Sequence, residues 1–465
     1  MGSVVVCGGS VIGLSTAMLL ARDGHEVTVI ESDPAPVPDL PSDGWDRWVR
    51  PGVPQFRQPH NLFSRVRQIL DDDLPGITDA LLDAGCVWVD PIQALPPSIT
   101  DRAPRDGDDR FRFVTGRRPV VEATFARAAI QHPRVTVHRG VTVVGLLTGP
   151  PARHGIPHVN GVRLANGEDL RADLVVDATG RRTKLAAWLL DVGGSPPTVE
   201  SEDCGFVYYT RFFEGEARPA LIGPPVVSLG TISLLTLAGD NNTWSVTVWA
   251  ASADTELRVL RDPKRFNTLV RACPFQAHWL DGEPITDMVV MAGILDRYRR
   301  FVVDDRPVAT GVVAVGDAWA CTNPSAGRGL SVGLVHAQRL RDVVREGRLD
   351  DPEALVRGFD AVTEADVTPY YRNQIAADRA RIAEMDCLRE GREPPAPDPI
   401  VGAIGATALH DPDVFRGMIE MLTCLALPED VLARPGFMEK VGAYVGHSPP
   451  PVPGPDREQL LGLLS

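Results

Sequence analysis

The sequence predicts an α/β protein: strand–turn–helix–strand units around a parallel sheet, a second β-sheet domain inserted into them, and a helical C-terminal region. Three observations predict it. The chain opens with a β-branched strand, a glycine-rich turn, a helix and another strand, Val4 to Glu31 (VVVCGGSVIGLSTAMLLARDGHEVTVIE). Ala172–Leu190 (ADLVVDATGRRTKLAAWLL) and Gly311–Val344 (opening GVVAVGDAWACTNPSAGRGL) each repeat a short buried strand, a sharp turn and a helix. From Gly193 to Asp287, aromatic and β-branched residues dominate, with period-two alternation.

The first unit carries the clearest chemistry. Val4, Val5 and Val6 suit a strand buried on both faces. Gly8, Gly9, Ser10 and Gly13 form the turn, and Ile12, Met18, Leu19 and Leu20 give the following helix its apolar bulk. Gly24 suits the helix C-cap, and Val27–Ile30 is a strand ending at Glu31. Such glycines let backbone approach a pyrophosphate, and the helix start offers free N–H groups and a positive dipole end. Glu31 is spaced to accept hydrogen bonds from a ribose diol and to repel a 2′-phosphate. This is the Rossmann-like arrangement of a dinucleotide site, with Ser10 in place of the second glycine of G-x-G-x-x-G.

Pro34–Pro41 is loop, and Asn61–Leu70 has helical spacing, with Leu62, Val66, Ile69 and Leu70 on one face. Arg47, Arg50, Arg57 and His60 precede it, either as solvated ion pairs or with one arginine on the cofactor phosphates. Ile77–Thr100 reads as a helix end and then extended chain over Cys86–Pro91. Phe111–Thr115 is a strand and Pro119 opens a helix, with Arg117 and Arg118 just ahead, where an anionic group can sit. Val135–His138 and Val141–Leu147 are strands. Leu174–Val176 is a buried strand, Asp177-Ala178-Thr179-Gly180 a sharp turn, and a helix begins near Thr183.

In the inserted region, Gly205–Phe213, Val226–Gly239 and Asn242–Ser252 are strands. Trp244, Val246 and Val248 face opposite to Ser245, Thr247 and Trp249, so one face can roof a cofactor and line an apolar pocket. Tyr208, Tyr209, Phe212, Trp244 and Trp249 also read simply as good strand residues. Val312–Val315 leads to Gly316 and Asp317, then a loop with Pro324, Gly327 and Gly329, then a helix over Leu330–Arg345. An acid at a strand end followed by such a loop and helix start suits a polyol and a second charged group. Pro352–Glu390 is helical, Glu393–Pro399 a linker, Ile400–Tyr444 a set of smaller helices, and Ser448–Pro455 extended.

The 465 residues allow two or three domains. A net charge of −14 and a pI near 5.2 argue against nucleic acid or an anionic membrane surface as partner. The longest uncharged run, Pro219–Gly239, is broken by proline and glycine and is no membrane span. The first strand starts at once, so no signal peptide is expected. The 7 cysteines are scattered without C-x-x-C, which points to the cytoplasm. No metal-ligand spacing and no nucleophile elbow is found.

Three motifs in one order, GGSVIG with Glu31, DLVVDATGRR and GVVAVGDAWACTNPSAGRG, resemble the FAD-dependent monooxygenases of the para-hydroxybenzoate hydroxylase fold. Within that group the chain is most similar to the squalene-epoxidase-like and polyether-epoxidase-like flavoenzymes of secondary metabolism, over roughly residues 4–345. The resemblance implies a discontinuous GR2-type FAD-binding domain (1–75, 105–190 and 285–345), a substrate domain (76–104 and 191–284) and a helical region (346–465). It implies that Gly8, Gly9, Ser10 and Gly13 hold the FAD pyrophosphate, Glu31 the adenosine ribose, and that Arg118 reaches the cofactor. Gly180 would belong to the same site, Gly316 and Asp317 would meet the ribityl or pyrophosphate portion, and Pro324, Gly327, Gly329 and Leu330 would lie against the isoalloxazine.

The implied reaction transfers oxygen from a flavin C4a-hydroperoxide to an apolar or aromatic small molecule, hydroxylating or epoxidising it. Molecular oxygen is the co-substrate and NAD(P)H an electron donor. No side chain is assigned a catalytic role. Thr179-Gly180 stands where the family usually has Asp-Gly, which leaves direct reduction open against a separate flavin reductase. Arg328 stands where the polyether epoxidases carry glutamine, either as a cation near the flavin or toward solvent, and Trp319, Cys321 and Asn323 can face the substrate. Two other readings stay open: an FAD-dependent dehydrogenase or reductase without oxygen transfer, and a non-catalytic flavin-binding protein.

Overall fold

Five parallel strands form the central sheet, in the order Val312–Ala314, Leu174–Asp177, Ser3–Cys7, Glu26–Glu31 and Val135–Arg139. The computed structural model describes residues 1–396, 398–447 and 449–465. Pro397, in the expected linker, and Ser448, at the head of the expected extended tail, lie outside the described residues. Val4, Val5, Val6 and Cys7 are at most 1% exposed, as befits a strand covered on both faces. The helices Val11–Arg22, Arg118–Gln131 and Gly329–Arg345 pack in the same core. The chain leaves the Ser3–Cys7 strand toward Glu26–Glu31, while Leu174–Asp177 pairs on its other side. The carboxyl ends of Ser3–Cys7 and Leu174–Asp177 therefore flank a topological switch point, where open α/β sheets bind ligands.

The inserted sheet runs Val226–Leu229, Ile232–Ala238, Thr243–Ala251, Phe206–Glu214 and Glu283–Pro284, and Val289–Met291 also pairs with Phe206–Glu214. The alternation expected for Thr243–Trp249 is present. Trp244, Val246 and Val248 pack with Val207, Tyr209, Phe266 and Leu269 in a second core. Trp249 lies on the other face with Tyr208, Phe206 and Met385. Both faces are covered, so all of Thr243–Ala251 is buried.

Several boundaries differ from the sequence expectation. The strand expected over Val141–Leu147 spans Val143–Arg153, because Ile156–Leu164 folds back on it as an antiparallel partner. The helix expected near Thr183 starts at Leu185, since Gly180–Arg182 first makes a single 3₁₀ turn. The Pro352–Glu390 run is two helices, Pro352–Asp366 and Thr368–Arg389, with Pro369 in the first turn of the second, where its missing N–H costs nothing. Residues 76–104, placed together in the sequence reading, divide. Ile77 and Leu81 join the central core, and Leu95 and Ile99 pack with Ala403, Val414 and Phe437. Residues 346–465 likewise serve four clusters: Phe359 and Tyr371 enter the central core, Leu460 and Leu464 the second, Met385 the other face of the inserted sheet, and Ala403, Val414 and Phe437 pack with Leu95 and Ile99.

Candidate functional site: a dinucleotide cradle and its roof

At the switch point, backbone approaches backbone too closely for any side chain. A Cβ on Gly8 (φ +111°) would lie 2.4 Å from the Ala178 carbonyl oxygen, and one on Gly13 would lie 1.9 Å from that of Gly8. Ser10 is the N-cap of Val11–Arg22 but makes no capping side-chain bond, and the first turn holds no acid, so the positive end of the helix is open. The Gly329–Arg345 helix also starts without an acid in its first turn. The two helices touch through Ile12, whose Cδ1 would lie 2.7 Å from a Cβ on Gly333. Both starts open at the carboxyl edge of the parallel sheet. A Cβ on Gly180 or Gly329 would meet nothing within 4 Å, so both border open space, and Leu330 is buried behind the loop.

Asp317 is half-buried at this edge. Among the described residues its carboxylate has no hydrogen-bond or ion-pair partner; burial raises its pKa, while Arg118, Arg181 and Arg299 pull the other way. Behind it sits a buried support that the sequence did not reveal. His336 is 0% exposed, accepts the Gly316 N–H at Nδ1 (3.3 Å) and therefore carries its proton on Nε2, 3.1 Å from Thr363 Oγ1. Burial pushes its pKa down to about 3, so it is a neutral strut for the Gly316–Asp317 turn.

Glu31 lies at its expected strand end, but its carboxylate is engaged by the protein. It accepts the N–H groups of Gly9 and Asp33, both at 2.8 Å, and pairs with Arg50. Arg50 also pairs with Glu122 and Asp33 (3.2 Å) and donates to the Gly9 carbonyl (3.1 Å). Arg118 donates to Glu122 (2.8 and 2.7 Å) and to Ser10 Oγ (3.0 Å), which places it beside the glycine turn. Burial opposes ionisation of Glu122, yet Arg118 and Arg50 bring its pKa down to about 2. Glu122 was missed from sequence, and its only signal is the four-residue spacing from Arg118. Of the basic cluster ahead of the Asn61 region, only Arg50 enters this network. Arg57 stacks on Trp45 (4.4 Å), Arg47 pairs with Asp43 at the surface, and His60 is a half-buried ring whose pKa desolvation pushes down to about 3.

The remaining candidates divide. Asp177, 1% exposed, accepts the Thr179 N–H (2.9 Å), Thr179 Oγ1 (2.6 Å) and Thr183 Oγ1, so Thr179 braces the turn. Arg328 donates to Gln374 Oε1 (2.8 Å) on Thr368–Arg389, and Ser325 Oγ donates to Asp378 (2.7 Å) on the same helix. The Pro324–Leu330 loop is thus held from the C-terminal side, and Arg328, half-buried, is directed to Gln374. Trp319 is core, packed against His336 and Tyr298. Asn323, 2% exposed, faces the inserted sheet; it accepts Tyr208 Oη (2.6 Å) and its N–H donates to Asp296 (2.5 Å). Among the described residues, no cluster of three or more His, Cys, Asp or Glu side chains is arranged for a metal, and no helix is long and apolar enough to cross a membrane.

Residues 3–48 match the family model of the pyridine nucleotide-disulphide oxidoreductases. The chain is 28% identical over 365 residues to protein Rv3254 of Mycobacterium tuberculosis, covering 73% of this chain and 72% of that one. Its fold is similar to that of the flavin-dependent brominase Bmp2, with 16% identity and a TM-score of 0.63 over 95% of this chain and 98% of that one. It is also similar to PqsL, a probable FAD-dependent monooxygenase from Pseudomonas aeruginosa, with 16% identity and a TM-score of 0.60 over 84% and 98%. The chain has the fold of the FAD-dependent monooxygenases of the para-hydroxybenzoate hydroxylase type. Its opening βαβ unit is of the kind found in the pyridine nucleotide-disulphide oxidoreductases.

Proposed function

We propose that this chain is an FAD-dependent oxidoreductase, a monooxygenase that hydroxylates or epoxidises a small apolar or aromatic molecule in cytoplasmic secondary metabolism. The observation that carries the reading is the pair of uncapped helix starts at one sheet edge, with the unpartnered Asp317 carboxylate beside them. The residues fit FAD. Gly8, Gly9, Ser10 and Gly13 give a pyrophosphate backbone N–H groups and a positive helix end, and Arg118 sets a guanidinium beside them. Asp317, held by the Gly316 turn, accepts ribityl hydroxyls. Gly180, Pro324, Gly327, Gly329 and Leu330 shape the flavin side, and the Gly329 helix start stabilises negative charge there. Glu31, expected on the adenosine ribose, is instead buried and spent on Gly9, Asp33 and Arg50, so its part in the site is to hold the glycine turn.

FAD supplies the redox chemistry when bound, taking electrons from NAD(P)H and passing them to dioxygen. The protein binds, orients and excludes water. The roof face of the inserted sheet, with Tyr208, Thr210, Phe212 and Trp249 all buried, keeps that region dry. All 7 cysteines are free and buried, which supports a reducing compartment and leaves no exposed thiol for side reactions.

The test is anaerobic addition of NADPH or NADH to the FAD-loaded protein, followed by isotopically labelled dioxygen with a panel of aromatic and alkene compounds. Bleaching of the flavin bands followed by label in a product is the expected result. Bleaching with no label in any product overturns oxygen transfer in favour of a dehydrogenase or reductase.

A further inference from the structure

Two short turns stand at the carboxyl edge of the parallel sheet, Gly180–Arg182 and Gly316–Ala318. They follow the neighbouring strands Leu174–Asp177 and Val312–Ala314. Each has its own brace. Asp177 accepts the Thr179 and Thr183 hydroxyls, and His336 accepts the Gly316 N–H. Neither brace reaches the other turn, but Arg299 does. Its Nη1 donates to the Asp317 and Ala318 carbonyls (3.3 and 3.0 Å), and its Nη2 donates to the Arg181 carbonyl (3.3 Å). Among the described residues it is the one side chain hydrogen-bonded to both turns.

Arg299 lies on Leu295–Arg300, a strand outside the parallel sheet that pairs with Thr198–Asp203 and Ala320–Cys321. Its backbone N–H donates to the Trp319 carbonyl (3.0 Å), which registers the strand on the second turn. Arg299 is 4% exposed. The other buried arginines, Arg50, Arg117, Arg118, Arg341 and Arg416, all pair with carboxylates. Arg299 has only peptide carbonyls, and among the described residues it forms no ion pair. A buried charge without a counter-ion is costly, so its retention calls for a reason beyond filling space. The planar fork supplies one, because it offers donors in two directions at once, which an ammonium does not. The field of Arg299 also falls on the acids of both turns. Burial raises Asp177 and Asp317, and Arg299 is among the groups that pull each back.

We propose that Arg299 is a positioning residue for the cofactor: it locks the Gly180 and Gly316 turns at one separation and so sets the Asp317 carboxylate for the cofactor hydroxyls. This inference rests on the flavoenzyme reading above and adds to it a residue that does not itself touch the cofactor.

The test combines FAD titration with amide exchange on Arg299→Met, Arg299→Lys and, as a control, Arg297→Met, which removes a donor to the Arg181 carbonyl alone. Arg299→Met is expected to weaken FAD binding about tenfold, and Arg299→Lys, which keeps the charge but not the fork, about threefold or more. In the Asp317→Ala background the added Arg299→Met change is expected to cost less than about twofold, because Arg299 acts through Asp317. Exchange is read on the flavin-free chain at the Thr183 and Trp319 N–H groups, each bonded within its own turn. Arg299→Met is expected to speed both about fivefold or more while the Ser3–Cys7 strand stays within about twofold, and Arg297→Met is expected to speed Thr183 alone. FAD binding by Arg299→Lys equal to the parent overturns the proposal. So does full additivity with Asp317→Ala, or acceleration at one turn only or throughout the sheet. A parent chain that takes up no FAD overturns the flavoenzyme reading and the cofactor role with it, whereas the coupling of the two turns is judged by exchange alone.

Discussion

Asp317 and Asp296 are both acids whose pKa burial raises, and they differ in who answers them. Among the described residues Asp317 has no hydrogen-bond or ion-pair partner, so its charge costs stability in the free chain, and on the proposed reading it serves a ligand. Replacing it by alanine is expected to weaken FAD binding about tenfold or more, with the flavin-free protein melting at the same or a higher temperature. Loss of stability together with flavin binding would contradict the role. Asp296 accepts the Asn323 N–H and has a pKa near 7 in place of the ordinary 3.8. Between those two values the folded chain keeps a proton that the unfolded chain has released. Stability therefore falls as pH rises across that interval and is level above it. Asp296→Asn keeps an acceptor oxygen, so urea melts are expected to show the variant more stable at pH 8 by about 1–3 kcal/mol, with the slope below pH 7 reduced. These environments were not legible in sequence, because burial and partners come from segments far apart in the chain. Arg50 shows why: it lies 41 residues from Gly9 and 72 from Glu122, and only the path of the intervening loop brings them together.

At the scale of elements, the Val11–Arg22 and Gly329–Arg345 helices must lie close for their starts to share one cleft. Gly333 against Ile12 allows it. Gly333→Val inserts a branched side chain where Ile12 Cδ1 is 2.7 Å from the first added carbon, and is expected to cost about 1–3 kcal/mol in urea melts. Ile12→Ala in the same chain should restore part of the loss by making room, and additivity of the two changes would contradict the contact. The glycine turn was legible because its geometry restricts the residue type: Gly8 and Gly13 tolerate no Cβ at all. The Arg328 ambiguity was not resolvable, since the Gln374 that holds it lies on a helix whose docking site the sequence pattern leaves open. Helical periodicity marks Thr368–Arg389 as a helix with a buried face but does not say against what. The answer is three surfaces, the central core through Tyr371, the loop through Gln374 and Asp378, and the inserted sheet through Met385.

Across the whole molecule, the strand and helix that meet at Arg117 are joined to the inserted sheet by a buried ion pair. Arg117, at the start of the Arg118–Gln131 helix, places Nε and Nη2 on the Asp240 carboxylate at 3.0 and 2.6 Å, and its N–H on the same group at 2.7 Å. Alternation along Thr243–Trp249 foretold that the sheet has two different faces, and that expectation holds. The way the last 120 or so residues divide among four clusters was not foreseeable, because an amphipathic pattern specifies a buried stripe and leaves its partner open. The central claim is that cradle and roof together hold FAD. The most direct measurement is the visible spectrum of the protein after incubation with FAD and gel filtration. Flavin bands that travel with the protein at close to one FAD per chain are the predicted result. A protein peak without flavin absorbance, from a sample that is folded by circular dichroism, would contradict the account.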